Sequence, residues 1–245
     1  MLIVNGYTSG YPSGRNTEII DLENPSFVCS NLNKFPVNCA EAIGGLIGEI
    51  PFVCGGWSWD NSGASLYGNW FVTNACYTLK DNGEWIEDHP ATLNTERGNA
   101  GSVSWKNSLV IAGGNAGHSY TSTIEMASPN TKSTMLPIEL PQALSGACMV
   151  LWDSNTLMLI GGGRGDKTYF INMKNNTISN GPKLNTGRSY HACEETIVND
   201  TSYIVVTGGY GVRGRNTRYS TELISKSSIT KHWENGKNMM MLLTH

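Results

Sequence analysis

The residue types that most often carry catalysis are scattered along this chain of 245 residues. Its histidines lack the His-x-x-x-His spacing that holds a metal ion; they are His89, His118, His191, His232 and His245. The sequence contains no nucleophile elbow, phosphate-binding loop or Ser-His-Asp signature. Glu194 and Glu195 are typical of an ordinary solvated pair. The sequence therefore predicts no enzyme, no cofactor and no metal site.

Two groups of charged residues have the chemistry to bind a partner. Arg164, Gly165 and Asp166 form an Arg-Gly-Asp triplet, which its flanking glycines would present from a loop as integrin-binding sequences do. Chance occurrence is the favoured explanation of so short a motif. A basic cluster suited to a carboxylate or phosphate follows a glycine pair, with a solvated loop as its favoured alternative; it comprises Arg213, Arg215 and Arg218.

Composition excludes several classes of protein. The net charge of -3 gives no global field that would attract nucleic acid or an anionic membrane. The longest apolar run, at 147–152, is far below the roughly 20 residues that span a bilayer. The N-terminal residues do not resemble a signal peptide. With 28 glycines and only 15% charged residues, the chain favours short strands joined by tight turns.

A repeat organises these strands. Five short apolar runs each stop at glycine, and they read LIVNG, FVCGG, LVIAGG, LMLIGGG and YIVVTGG. Taking Gly6, Gly56, Gly114, Gly162 and Gly209 as equivalent gives spacings of 50, 58, 48 and 47 residues. Apolar runs with a Thr and a Glu follow three of these stops, at 16–22, 121–127 and 220–224. Related turns and further strands precede the stops, at 93–103, 140–150 and 184–194.

This pattern resembles kelch repeats, in which each unit forms one four-stranded blade of a β-propeller. The resemblance covers essentially all of residues 1–245 and implies a single all-β domain with about five blades visible. The double glycine would end the second strand, where a Cβ would clash or force an unfavourable φ. The aromatic residue expected in the outer part of a unit is clear only at Trp85 and Trp233. The repeats are therefore degenerate.

The phase of the repeat predicts an incomplete ring. The chain opens on the second strand of one unit and closes on NMMMLLTH, which corresponds to the turn before a first strand. Five glycine-stopped strands with four preceding strands imply about nineteen strands in total. We expect the chain to be a fragment of a longer, six-bladed kelch protein.

The cysteines also resemble those of predicted animal kelch proteins, many of them extracellular, at Cys54, Cys76, Cys148 and Cys193. Antiparallel pairing would bring the first two within disulfide reach, and the last two hold equivalent positions in innermost strands of consecutive blades. Cys29 and Cys39 form a third candidate pair, and free buried thiols are the alternative throughout. Asn175 and Asn199 stand in glycosylation sequons, although this Asn-rich sequence also produces sequons by chance. An extracellular location is favoured over a cytoplasmic one.

The resemblance implies a binding module that presents loops to a protein or peptide. The connection after Gly56 is the longest and is rich in aromatic residues. The expected binding residues on one face are Trp57, Trp59, Tyr67, Trp70, Tyr7, Tyr11, Arg15, His118, Tyr120, Arg164, Asp166, Arg213, Arg215 and Arg218. Because Trp, Tyr and Arg dominate binding hot spots, this mixture suits a peptide or a sugar ring.

Three alternatives to the protein-binding face remain open. The tryptophans of the long connection would instead pack down and close the tunnel. A glycan would replace the peptide as ligand. The third is a galactose-oxidase-like copper enzyme, for which Tyr190 and His191 are the one candidate pair near the axis. No BTB or F-box region accompanies the repeats, so a substrate-adaptor role is not implied.

Overall fold

The structure is a computed structural model that describes residues 2–4, 15–19, 33–60, 69–211, 219–228 and 231–237. Within these ranges the regular secondary structure consists of 23 β-strands and no helix. The described residues accordingly include no helix of the length and apolarity needed to cross a membrane. The all-β prediction is confirmed.

Most strands belong to five antiparallel sheets, which we number as blades in chain order. Blade 1 holds β1 (Leu2–Val4) and β2 (Thr17–Ile19), and blade 2 holds β4 (Ile43–Ile47), β5 (Ile50–Cys54), β8 (Ala75–Leu79) and β9 (Trp85–Thr92). Blade 3 holds β10 (Gly101–Trp105), β11 (Ser108–Ala112), β12 (Thr123–Ser128) and β13 (Thr131–Glu139). Blade 4 holds β14 (Cys148–Asp153), β15 (Thr156–Ile160), β16 (Thr168–Asn172) and β17 (Thr177–Asn180). Blade 5 holds β19 (Ala192–Val198), β20 (Thr201–Thr207), β22 (Thr221–Ser225) and β23 (Glu234–Asn235).

Two small sheets interrupt this series. The first has the order β3–β6–β7 and contains β3 (Cys39–Ala40), β6 (Trp57–Asp60) and β7 (Asn69–Val72). The second pairs β18 (Arg188–Ser189) with β21 (Tyr210–Gly211). The long connection after Gly56 therefore folds partly as the β6–β7 hairpin, which separates the second and third strands of blade 2.

The core lies between successive blades. One apolar cluster joins blades 2 and 3, a second joins blades 3 and 4, and a third joins blades 4 and 5. Both faces of a blade are thus buried, which explains why a second strand such as Leu109–Ala112 is a continuous apolar run with no exposed side chain. Innermost strands β4, β10, β14 and β19 contact one another in that order.

The glycine that ends a second strand is required by its backbone and by its neighbour. In blade 3, Gly113 and Gly114 have φ of 68° and 111°, in the region that side chains disfavour. A Cβ on Gly113 would lie 2.6 Å from the carbonyl oxygen of Leu144, at the entrance to blade 4. The next blade approaches the glycine pair too closely for any side chain, which confirms the reason for the repeat.

Two predicted outer aromatics also tie blades together. The indole of Trp85, at the start of the outermost strand of blade 2, donates to the Thr17 hydroxyl of blade 1 at 3.0 Å. Trp233, just before the outermost strand of blade 5, donates to the carbonyl oxygen of Pro182 at 3.0 Å. Each tryptophan is buried, and its hydrogen bond connects its own blade to the preceding repeat.

Buried ion pairs anchor the entrances of blades 3 and 5. Arg97 donates to the carbonyl oxygen of Gly113 at 2.7 Å and pairs with the Glu125 carboxylate at 2.7 Å. In blade 5, Arg188 pairs with Glu222 at 2.5 Å, and both side chains are buried. Burial lowers the pKa of the Arg97 guanidinium, and the charge of Glu125 opposes that shift. Each arginine thus fastens the strand entering a blade to the glycine turn and third strand of that blade.

Blades 2 and 4 carry uncharged residues at the same two positions. In blade 4, Leu144 occupies the arginine position. Its carbonyl oxygen accepts a hydrogen bond from the Gly114 amide, just as the carbonyl oxygen of Arg97 accepts one from the Gly56 amide. Tyr169 replaces the glutamate, and its buried hydroxyl has no partner among the described residues. In blade 2 the corresponding residues are Cys39 and Tyr77. The repeat therefore tolerates two chemically different versions of one contact.

Two of the three predicted disulfides are confirmed. Cys54 and Cys76 are bonded across neighbouring strands of blade 2, with Cα atoms 4.0 Å apart. The second bond joins Cys148 to Cys193 and links the innermost strands of blades 4 and 5, with Cα atoms 6.0 Å apart.

The third predicted pair is wrong at Cys39, which is a free buried thiol. Its Sγ donates to the carbonyl oxygen of Gly55 at 3.4 Å, because the side chain occupies the position that an arginine fills in blades 3 and 5. Cys29 lies outside the described residues. Burial raises the pKa of the Cys39 thiol to about 12.

Blade 5 differs from the others in the exposure of its innermost strand. Nearly all of β19 is exposed, whereas β10 and β14 are buried or half-buried along most of their length. Ile197 and Val198, near the end of β19, are 71% and 52% exposed. Closure of the ring, and the expectation of a longer six-bladed protein, stay predictions.

Candidate functional site

Seven of the eight predicted binding residues that the structure describes lie at one end of the blades, which we call the glycine end. It is the end where second strands stop at glycine pairs and where the chain enters each innermost strand. The loops there contain Trp57, Trp59, Trp70, His118, Tyr120, Arg164 and Asp166. The predicted residues Tyr7, Tyr11, Tyr67, Arg213, Arg215 and Arg218 lie outside the described residues.

The tryptophans of the β6–β7 hairpin divide between two orientations. Trp59 and Trp70 are cross-strand partners whose rings meet edge to face, with centroids 5.1 Å apart. Trp70 and its neighbour Phe71 are 39% and 47% exposed. Trp57 is half-buried, and its Cδ1 lies 3.1 Å from the point where a Cβ on Gly98 would be. The hairpin thus combines an exposed aromatic surface with one tryptophan packed against the entrance to blade 3.

The loop between β11 and β12 projects Tyr120 and His118. Asn115 forms isolated bridges with Gly98 and with Tyr120, which joins this loop to the entrance of blade 3. The Asn115 side chain also accepts from the Gly117 amide at 3.1 Å. Tyr120 is 50% exposed and His118 is exposed. A tightly held loop therefore presents an aromatic ring to solvent.

The Arg-Gly-Asp triplet forms a pinned turn in blade 4. The Gly165 amide donates to the carbonyl of Gly162 at 2.8 Å, and the Gly165 carbonyl accepts from Arg188 at 3.0 Å. Arg164 is exposed, and the Asp166 carboxylate lies 3.8 Å from the Lys183 ammonium. An exposed pair of this kind contributes little to stability, so the turn is held by its backbone.

Arg15 contributes to the contact between blades 1 and 2. Its Nε donates to the carbonyl oxygen of Phe35 at 2.6 Å, and the Phe35 amide donates back to the Arg15 carbonyl at 2.7 Å. Phe35 is fully buried and meets the rings of Tyr77 and Trp85 edge to face. Arg15, which the sequence predicts as a binding residue, therefore stabilises the contact between blades 1 and 2.

Sequence reasoning missed a polar ring at the glycine end, which we call the inner ring. Its members are Glu41, Asn99, Gly146 and Tyr190, one at the entrance to each of blades 2 to 5. The amide of each residue donates to the carbonyl of the preceding member, at 3.0, 2.8 and 2.8 Å. The Asn99 side-chain amide also donates to the Glu41 carboxylate. Their shared offset, two residues after Cys39, Arg97, Leu144 and Arg188, was the available sequence signal.

Tyr190 joins this ring to the exposed aromatics. It is 48% exposed and lies edge to face with Tyr210, which is 52% exposed, at a centroid distance of 6.2 Å. Burial raises the pKa of the Tyr190 phenol, the charge of Glu41 and the phenol of Tyr120 raise it further, and Arg164 opposes them. The phenol therefore stays protonated at neutral pH and can donate a hydrogen bond.

The suggested pairing of Tyr190 with His191 at a copper site gains no support from the geometry. Tyr190 is half-exposed, whereas His191 is only 9% exposed. Burial, and then the charge of Arg188, lower the pKa of His191 to about 4, while the Ile160 carbonyl opposes the shift. Across the described ranges, no three His, Cys, Asp or Glu side chains are grouped so as to hold a metal ion.

Comparisons with known proteins identify a fold and no family. No protein family matches the sequence, and no curated protein sequence matches it. Among solved structures, the one titled "Structure of YjhT" is similar, with a TM-score of 0.71 and 16% sequence identity. The match covers 96% of this chain and 80% of the other. Together with the antiparallel sheets, this likeness identifies an all-β, β-propeller-like fold.

Proposed function

We propose that the protein is a kelch-type, non-catalytic binding module whose glycine end holds a protein or peptide partner. The observation that carries the proposal is the convergence of Tyr120, Tyr190 and Tyr210, each about half-exposed, on loops of blades 3 and 5. Large aromatic side chains with few rotamers dominate protein-binding hot spots. The hydroxyl of a tyrosine is hydrated at a free surface and can form a hydrogen bond when a partner covers the ring.

The scaffold beneath these tyrosines supports the same conclusion. Backbone hydrogen bonds connect Glu41, Asn99, Gly146 and Tyr190, and the Asn115 bridges hold the loop that carries Tyr120. Loops fixed in this way lose little conformational entropy when they bind, which favours affinity. The exposed edge of the β6–β7 hairpin, at Trp70 and Phe71, extends the aromatic surface at the same end.

A random peptide library displayed on phage, selected on the immobilised protein, tests this proposal. We expect recovered peptides to lose at least about 2 kcal/mol of binding, roughly 30-fold, when Tyr120→Ala and Tyr210→Ala are combined. Ile197→Ala, which truncates a more exposed apolar side chain outside the glycine end, is the matched control and should leave binding unchanged. Failure to recover peptides, or equal loss in the control, would contradict the proposal. Selective binding on a glycan array would favour the sugar alternative.

The two disulfides support an extracytoplasmic location for this binding function. Such bonds persist in oxidising compartments and are rare where thiols are kept reduced. Asn175 and Asn199 are both exposed in hairpin turns outside the glycine end, where a glycan would leave the tyrosines accessible. Expression through a eukaryotic secretory pathway should yield a protein that glycosidase treatment shifts in mass. Asn175→Gln with Asn199→Gln should abolish that shift, and an unmodified wild type would contradict the glycosylation prediction.

A further inference from the structure

The inner ring keeps side chains where the backbone favours glycine. Glu41, Asn99 and Tyr190 have φ of 58°, 53° and 56°, and the equivalent Gly146 has φ of 71°. A non-glycine residue in this left-handed region costs on the order of 1 kcal/mol, and such strain concentrates at functional sites. Gly146 demonstrates that the repeat accepts glycine at this position. Three blades therefore retain a polar side chain at a cost in stability.

Buried polar groups beside the ring are a second, independent observation. Ser189 and His191 flank Tyr190 in the chain and are 1% and 9% exposed. The Ser189 hydroxyl has no hydrogen-bond partner among the described residues. The Cβ of Ser189 lies 3.1 Å from the point where a Cβ on Gly146 would be, so the serine adjoins the ring itself. Buried polar groups normally have partners, and exceptions require an explanation.

Among the described residues, the charges that act on Tyr190 balance. Glu41 supplies one carboxylate, Arg164 supplies one guanidinium within electrostatic reach of Tyr190, and Asn99 supplies a neutral amide. The phenol of Tyr190 stays protonated. Described charges that cancel, together with both donors and acceptors, match a ligand group that is itself neutral and carries both.

We propose that the inner ring is a binding site for an uncharged amide, supplied by the main chain or by an Asn or Gln side chain of the partner. This inference rests on the proposed function, because it assigns a ligand group to the centre of the same surface. The tyrosines at the rim supply contact area, and the ring selects the polar group that enters between them. Glu41 accepts from the amide N–H, and Tyr190 donates to the amide oxygen.

Saturation-transfer NMR with small molecules tests the ring separately from the whole surface. The amide probe is N-acetyl-asparagine amide, and the other probes, which carry no amide, are acetate, ethylammonium and methyl β-galactoside. We expect saturation of the asparagine probe at least threefold above that of each other probe. Tyr120→Ala combined with Tyr210→Ala should leave this signal intact, even where it abolishes peptide binding. Equal or stronger saturation of a charged probe or of the galactoside, or no saturation at all, would overturn the amide site.

Glycine substitution separates a binding role from a structural one. Glu41→Gly should weaken binding of the asparagine probe at least tenfold. The melting temperature should stay unchanged or rise, because glycine suits the local φ. Glu41→Gln retains an acceptor and should bind within threefold of wild type, whereas a cation site would lose affinity. Tyr190→Phe should weaken binding at an unchanged melting temperature. Unaltered binding in Glu41→Gly, or a fall in its melting temperature, would overturn the inference.

Discussion

Blades 3 and 5 differ from blades 2 and 4 at one buried contact. The first two use an Arg–Glu ion pair to fasten the entering strand, at Arg97 and Glu125 and at Arg188 and Glu222. The other two place Cys39 beside Tyr77 and Leu144 beside Tyr169. The same backbone geometry thus accommodates either charged or uncharged side chains.

Each blade without the ion pair carries a disulfide, and one of these bonds ends at Cys193 of blade 5, which also has an ion pair. Cys54 and Cys76 cross-link blade 2, and Cys148 links blade 4 to blade 5. A buried ion pair carries a desolvation penalty that offsets much of its attraction. The comparison teaches that one entrance geometry accepts either a buried ion pair or uncharged side chains, and that each uncharged blade is cross-linked at another position.

Reduction of both disulfides should have the largest effect and should distinguish the disulfide-linked blades from blade 3, which has only the ion pair. Their loops span 45 and 22 residues, which by loop-closure entropy correspond to about 4 and about 3 kcal/mol. We expect the free energy of unfolding to fall by several kcal/mol in reductant, measured by urea titration. Hydrogen exchange should accelerate more in blades 2 and 4 than in blade 3. Equal acceleration of hydrogen exchange in all blades would contradict this distinction.

Removing one partner of a buried ion pair should be the next largest change. Arg97→Leu leaves the Glu125 carboxylate buried and unpaired, so we expect a loss of about 3 to 5 kcal/mol. Combining it with Glu125→Tyr copies blade 4 and should recover most of that loss. Urea unfolding of both single variants and the double variant measures the coupling. A double variant no more stable than Arg97→Leu would show that the two contacts are not interchangeable.

Acid should affect blade 5 selectively. His191 follows the inner-ring residue, where blades 3 and 4 have Ala100 and Ala147. Because its folded pKa is lowered to about 4, the neutral imidazole is favoured by folding, and stability falls as pH drops from about 6.5 to about 4. The shift corresponds to about 3 kcal/mol. His191→Ala should remove this part of the pH dependence; an identical acid profile in the variant would refute it.

The smallest expected effect concerns Cys39, which occupies the arginine position in blade 2. With its pKa raised to about 12, the thiol stays protonated at pH 8 and should resist iodoacetamide in the folded protein. Mass spectrometry should detect alkylation of Cys39 only after denaturation. Cys39→Ala should cost about 1 kcal/mol, well below the cost of Arg97→Leu. Rapid labelling of native Cys39 would indicate a different environment.

Much of the architecture follows from local sequence signals. Glycine pairs after apolar runs predicted the blades, because in blades 2 to 5 the turn out of the second strand leaves no room for a Cβ. The same alignment placed Cys54 opposite Cys76 and placed Cys148 beside Cys193. The third disulfide was wrong because residue 39 lies at a blade entrance, where its side chain turns inward.

The candidate site was less accessible to sequence reasoning. Trp57, Trp70 and Tyr120 were expected on one face, and they do lie at the glycine end. Tyr210, Glu41 and Asn99 were not recognised, and Tyr190 was considered only for a copper site, because no local motif distinguishes these residues from ordinary loop residues. Their left-handed φ depends on the sharp entry into each innermost strand and becomes evident only from coordinates.

What the sequence determined by itself was the repeating β unit, since strand length, apolar runs and glycine stops all act within one repeat of roughly 50 residues. Only the tertiary structure decided which entrances carry an ion pair and which side chains converge at the glycine end. Glu41 and Tyr190 are separated by three blades in the chain, and the hydrogen bonds through Asn99 and Gly146 connect them. Stacking of blades converts equivalent positions in the repeat into neighbours, and that juxtaposition creates the site.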